Sequence, residues 1–152
     1  MKKLKVYIDT SVIGGCFDKM FQEWSNKLFE EFISGKKIAI ISDTVLKELE
    51  RAPEEVRDKI NEIPDKFIVK YNITDEIRNL TEKYMKQNIV TPKFRDDALH
   101  IATATIINVD VLVSWNFKHI VNFNRIRQFN SINILEGYKE LEIRTPQEVL
   151  DE

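Results

Sequence analysis

The chain has 152 residues, 43% hydrophobic and 32% charged, which is enough for one domain with a sizeable core. Its formal net charge of −2 gives no overall footprint for a polyanion, so any nucleic-acid contact must use a local patch. A lone cysteine, Cys16, excludes an intrachain disulfide framework and zinc-finger spacing, and no stretch approaches the roughly 18 apolar residues of a membrane span.

The opening "MKKLKVYIDTSVIGG" has the lysines and apolar residues of a signal peptide, but Asp9 interrupts the run. A cytoplasmic setting is expected. Residues 5–8 read as a short apolar strand ending at Asp9, and Gly14-Gly15 as a turn or loop. Phe21, Trp24, Leu28, Phe29 and Phe32 recur at helical spacing, with Gly35 as the stop. Residues 38–41 form a continuous apolar strand, which implies burial on both faces. Asp43 or Thr44 caps a helix carrying Val45, Leu46 and Leu49, and Pro53 ends it or opens the next. Residues 67–69 read as a third strand, and Thr74 caps a polar amphipathic helix through Tyr84. The spacing predicts a buried helix over 95–108, because apolar residues surround it after its first turn. A fourth strand at 111–113, a short helix near 119–129, a strand at 132–135 and a helix start at "TPQEVL" complete the chain. Apolar strands alternating with helices predict a single α/β domain with a parallel sheet covered on both faces.

Against this pattern four side chains stand out: Asp9 after the first strand, Glu48 on the helix after the second, Asp97 at the start of the buried helix, and Asn116 after the fourth strand. In an open parallel sheet, ligands bind at the carboxyl ends of the strands, where strand order reverses. If the first and fourth strands are neighbours, Asp9 and Asn116 overhang one crevice, and Asp97 and Glu48 approach the same end. Converging carboxylates cost desolvation unless something positive binds them, and oxygen ligands suit Mg²⁺ or Mn²⁺. Such an ion can activate water and neutralise charge on a phosphodiester.

Taken singly, each residue has an ordinary role. Asp9 could end a strand and cap a helix, Glu48 could lie on a solvated face with Lys47, Glu50 and Arg51, Asp96 and Asp97 could be first-turn acids, and Asn116 could shape a turn. Their joint placement is what points to a site. Trp115 reads as packing, with base stacking as the alternative. His100 reads as a satisfied histidine rather than a ligand, and His119 and Lys118 as solvated surface, with contact to RNA phosphate as the alternative. Lys93, Arg95, Lys118, Arg125 and Arg127 flank the proposed mouth in sequence and could guide a polyanion. The chain has no GxGxxG, GxxxxGK[ST], GxSxG or HExxH, and Cys16 has no His near it in sequence, so cofactor, P-loop, serine-hydrolase, zincin and thiol chemistries lack their parts.

The segments "VYIDTSV", "IISDTVLKEL", "FRDDALHIATATIINVDVLVSWNF" and "EIRTPQEVL" resemble the PIN-domain family, which includes VapC-like toxin nucleases of toxin–antitoxin pairs. The resemblance spans nearly the whole chain and makes residues 1–152 one PIN-like domain. It implies a three-layer α/β/α sandwich around a parallel sheet of about five strands, and Mg²⁺- or Mn²⁺-dependent endonucleolytic cleavage of single-stranded RNA. It also implies a homodimer and a small cognate antitoxin as partner. By the same resemblance Asp9, Glu48 and Asp97 match the family's first three acids, and Asn116 stands where many relatives carry a fourth. Thr10 or Ser11 is then placed to help hold a metal-bound water or a phosphate. An amide oxygen can ligate a metal but brings no charge. A catalytically weak RNA- or protein-binding module on the same fold is therefore the alternative.

Overall fold

The computed structural model describes residues 2–151. In chain order the elements are β1 (Leu4–Ile8), α1 (Thr10–Gly15), α2 (Gln22–Ile33), β2 (Lys37–Ser42), α3 (Asp43–Leu49), α4 (Glu54–Lys59), β3 (Ile68–Tyr71), α5 (Asp75–Lys86), α6 (Arg95–Ile107), β4 (Val111–Val113), α7 (Phe123–Leu135), β5 (Ile143–Arg144) and α8 (Pro146–Val149). The strands form one five-stranded, all-parallel sheet in the order β3-β2-β1-β4-β5. Consecutive residues Val6, Tyr7 and Ile8 are fully buried, so both faces of the central strand are covered. The helices touch in two groups, α1, α2, α4 and α8 in one and α5, α6 and α7 in the other, with α3 meeting both through α1 and α6. The architecture is the expected α/β/α sandwich.

Strand order reverses between β1 and β4, the topological switch point. The register there sets everything that follows. Val6 pairs with Val111, Tyr7 with Leu112 and Ile8 with Val113. Asp9 and Ser114, the next residue on each strand, therefore leave the sheet side by side. On the other flank Tyr7 pairs with Ile40, so Ser42 ends β2 beside the same edge. The helix that faces this edge, α6, is buried from Ala98 to Thr105, and its alanines let it lie close to its neighbours. It ends at Asn108, which takes the left-handed conformation (φ 63°) that asparagine tolerates.

The structure corrects the sequence reading in five places. Gly14 and Gly15 are helical rather than a turn, because the Asp9 side chain caps α1 by accepting from the Val12 N–H. The residue at the N-cap of α3 is Ser42, while Asp43 turns away to accept from the Ile73 N–H at 2.9 Å. Phe67 lies in a 3₁₀ turn, and the third strand begins one residue later. Residues 132–135 are the last turn of α7, not a strand; the short apolar run misled because Ile134 and Leu135 are exposed, while the helix turns Phe129, Asn130 and Asn133 inward. The fifth strand is instead Ile143–Arg144, placed by Asn130, whose side chain brackets Leu141 by accepting from its N–H (2.7 Å) and donating to its carbonyl (3.1 Å). Finally, α7 starts at Phe123 behind the Asn122 cap, leaving His119 in a loop.

Gly15 sits where a Cβ would meet Ser25 Oγ at 2.6 Å and Trp115 Nε1 at 2.8 Å, whereas nothing lies within 4 Å of one at Gly14. Gly15→Ala should cost about 1–3 kcal/mol by overpacking, and Gly14→Ala should be neutral or stabilise by up to about 1 kcal/mol. Paired thermal melts check this, and equal midpoints for the two variants would contradict the packing described.

Candidate functional site

At the carboxyl edge of the sheet the acid side chains are held by short polar contacts. Asp9 is buried, with 4% of its surface exposed. Its Oδ1 accepts from Ser11 Oγ at 2.6 Å and from the Val12 N–H at 3.3 Å, and its Oδ2 accepts from Ser114 Oγ at 2.6 Å. Glu48 lies in the last turn of α3, where the helix dipole disfavours an acid, and so needs other support. That support is Thr10 Oγ1, which donates to its Oε1 at 2.8 Å, and His100 Nε2, 2.7 Å from the same oxygen. Asp97 sits in the first turn of α6, where the free amides favour an acid, and its Oδ2 lies 3.0 Å from His119 Nδ1.

His100 binds this edge together from below. It follows Asp97 by three residues on α6 and is 1% exposed. Its Nε2 reaches Glu48, and its Nδ1 is 2.7 Å from the Tyr7 hydroxyl, which is 2.8 Å from Ser42 Oγ. Every polar atom of this buried chain has a partner, as burial demands. The satisfied-histidine reading of His100 thus agrees with the structure. His119 does not fit its surface reading: it is buried, paired with Asp97, and packed on the Phe94 ring at 4.1 Å between centroids. Nothing local marks that burial, because Phe94 and Asp97 come from another element. The only sequence signal is its place three residues after Asn116, the spacing of an Asx-type turn.

Asn116 stands beside this group in an unexpected posture. Its Oδ1 accepts from the N–H groups of His119 (2.9 Å) and Lys118 (3.2 Å), and its own N–H donates to Ser114 Oγ at 2.9 Å. The amide oxygen thus closes its own turn. Thr10 and Ser11 spend their hydroxyls on Glu48 and Asp9. Trp115 packs, stacked on Phe21 at 4.2 Å with its Nε1 donating to Ser25 Oγ at 2.9 Å. Of the basic residues, Lys93 and Lys118 converge on the Phe94 ring beside His119. Arg95 is engaged by Glu82 at 2.7 Å, and Arg127 lies over Phe123. Burial pushes the Cys16 thiol up to about 12, which leaves it unreactive.

The acids share one electrostatic field. Desolvation raises the Asp9 pKa, and the Glu48 charge adds to it, against the pull of His100, Ser11 and Ser114. Desolvation likewise raises Asp97, with Asp9 adding and His100 and His119 opposing. For Glu48 burial works upward, but the His100 bond and charge and the Thr10 bond outweigh it and lower its pKa. For His100 burial works downward, but the Glu48 bond and the charges of Glu48, Asp9 and Asp97 raise it. Two imidazoles, His100 and His119, face three carboxylates, and burial still raises two of those above their ordinary values. That is a deficit of positive charge at a site whose donors are oxygens, the chemistry a hard dication satisfies. As the side chains stand, no group of three or more His, Cys, Asp or Glu residues among the described residues is placed to hold a metal ion. Among the described residues neither Glu48 Oε2 nor Asp97 Oδ1 takes a protein hydrogen bond, so each retains an acceptor for an ion.

No family model and no curated protein sequence matches the chain. Solved structures do. VapBC2 of Rickettsia felis, crystallised bound to a DNA fragment from its promoter, is similar with a TM-score of 0.60 and 17% identity, over 93% of this chain and 98% of that one. Mycobacterium tuberculosis VapC20, a sarcin-ricin loop cleaving toxin, is similar with a TM-score of 0.53 and 13% identity, over 90% of this chain and 98% of that one. These likenesses cover nearly the whole of each chain and concern the fold.

The raised Asp97 pKa has a definite sign. A carboxyl whose folded value exceeds its unfolded value contributes stability that is complete below the unfolded value and is lost as pH rises through the folded one. At neutral pH the ionised Asp97 therefore weakens the ion-free fold. Asp97→Asn should raise the melting temperature of the protein at pH 7.5 in chelator. The gain should shrink towards pH 4. Melts at both pH values check it, and a lower midpoint for the variant at pH 7.5 would refute the charge deficit.

Proposed function

We propose that this chain, whose fold is that of the VapC-type PIN domains, is a metal-dependent endoribonuclease that hydrolyses phosphodiester bonds of single-stranded RNA and serves as the toxin of a toxin–antitoxin pair. The observation that supports the reading is that Asp9, Glu48 and Asp97, from three distant segments, share the field of His100 at the carboxyl edge of the sheet, where burial raises the Asp9 and Asp97 pKa values. Mg²⁺ or Mn²⁺ held by these three would neutralise phosphodiester charge and acidify a water. Asn116 stands at the same edge, where its amide keeps the loop after β4 in shape.

The chain's own residues prepare that site. Ser11 and Ser114 hold Asp9 by both oxygens, and Thr10 and His100 hold Glu48 in its ionised form. Burial pushes the Tyr7 hydroxyl far above its ordinary value, so it stays protonated and serves to orient His100. Lys93 and Lys118, exposed on the Asp97 side, supply positive charge for the RNA backbone. The exposed Phe17 and Met20, with Phe21, offer an apolar surface for a second copy or an antitoxin. Among the described residues no helix is long and apolar enough to cross a membrane. On this reading the protein acts in the cytoplasm.

A second reading, a binding module without turnover, has one observation in its favour: Asn116 adds no charge and its oxygen is already committed. Incubation of purified protein with single-stranded RNA and Mn²⁺ separates the two. The nuclease reading requires cleavage that drops about 100-fold or more in Asp9→Asn and in Asp97→Asn. It also requires an acid limb lying above the ordinary aspartate range, since both groups must be ionised. Cleavage unchanged in both variants would overturn it. No cleavage in the parent, with activity appearing in Asn116→Asp, would favour the binding module.

A further inference from the structure

The loop after β4 touches the acid group at both ends. Ser114, at its start, donates to Asp9 Oδ2 at 2.6 Å. His119, near its end, places Nδ1 3.0 Å from Asp97 Oδ2. Between them Asn116 organises the backbone: its side chain accepts from the His119 N–H, and its carbonyl accepts from the N–H groups of Ile120 (3.2 Å) and Val121 (2.8 Å). The His119 side chain is 8% exposed and its ring lies against Phe94, the residue that leads into α6. A carboxylate acceptor fixes the ring proton on Nδ1. Backbone, ring face and ring nitrogen are therefore all constrained, more than a surface histidine requires.

We propose that His119 is a positioning residue, which locks the Asp97 carboxylate in the orientation that holds the divalent ion, and that Asn116 is the seat that fixes His119. The inference rests on the nuclease reading, in which Asp97 is an ion ligand. It gives Asn116 work different from ligation. The amide oxygen closes the turn that carries His119, whose ring nitrogen meets Asp97. One ring contact and one hydrogen bond then hold a carboxylate whose other oxygen is left for the ion. Partners of this kind, standing behind a ligand, are usually worth about 10–100-fold in metal affinity.

The test is calorimetric titration of Mn²⁺ into the parent protein, His119→Ala, His119→Asn and Asn116→Ala, with single-turnover RNA cleavage on the same samples. Asparagine keeps an N–H donor near the place of Nδ1 without the ring. The expected result is a Mn²⁺ affinity about 10–100-fold weaker in His119→Ala, largely restored in His119→Asn, with RNA KM unchanged throughout. Asn116→Ala, which leaves the ring in place, should weaken Mn²⁺ binding in the same direction by a smaller factor, and covers the case in which His119→Ala does not fold. Parent-like Mn²⁺ affinity in a folded His119→Ala, or in Asn116→Ala where His119→Ala does not fold, overturns the positioning role and leaves the nuclease reading standing. A His119→Asn as weak as His119→Ala also overturns it, since ring packing would then be the cause. No Mn²⁺ binding by the parent overturns the nuclease reading itself, and this inference with it.

Discussion

The structure turns on negative charge gathered where strand order reverses. A parallel sheet with β1 beside β4 sends Asp9 and Ser114 out of neighbouring strands at the same level. The fold then brings Glu48 and Asp97 to that edge on separate helices. In water three carboxylates so close would cost little; inside a protein each loses hydration and repels the others. The chain answers with hydroxyls and two buried imidazoles, His100 and His119, and the answer is incomplete for Asp9 and Asp97. Such an edge costs stability, and the dication proposed for it would offset that cost.

The division of labour among the neutral and basic groups follows from this. His100 is placed at the centre, where it can compensate all three acids at once, and its own burial is tolerable only because Tyr7 and Glu48 satisfy both ring nitrogens. The serines and Thr10 donate without adding charge, so they orient carboxylates and leave them anionic. Phe94 has neighbours of opposite use: its ring supports His119, which faces inward to Asp97, while Lys93 and Lys118 gather over it from the solvent side. One aromatic side chain thus joins the acid edge to the basic rim.

Much of the fold was legible because its inner strands write themselves as unbroken apolar runs. Residues 38–41 and 111–113 could be nothing else once Gly35 and Asn108 ended the preceding helices. The fifth strand was hidden because it spans two residues and its position is set by Asn130 from α7, a contact no local pattern encodes. At the site, Asp9, Glu48 and Asp97 drew notice by their places at strand ends and helix turns, and topology did the rest. Asn116 was noticed for its chemistry, but the direction of its oxygen is a property of the turn. His119 was passed over because a polar residue in a loop is usually wet. Its burial comes from Phe94 and Asp97, which lie in a different part of the chain.

The most direct test of the charge-gathering edge is a crystal structure grown with Mn²⁺, with anomalous scattering used to locate the ion. The account requires an anomalous peak within about 2.0–2.3 Å of oxygens from Asp9, Glu48 and Asp97, at the carboxyl end of β1. A crystal soaked to saturation in which these carboxylates keep their present partners, with manganese found only at unrelated surface positions, would contradict it.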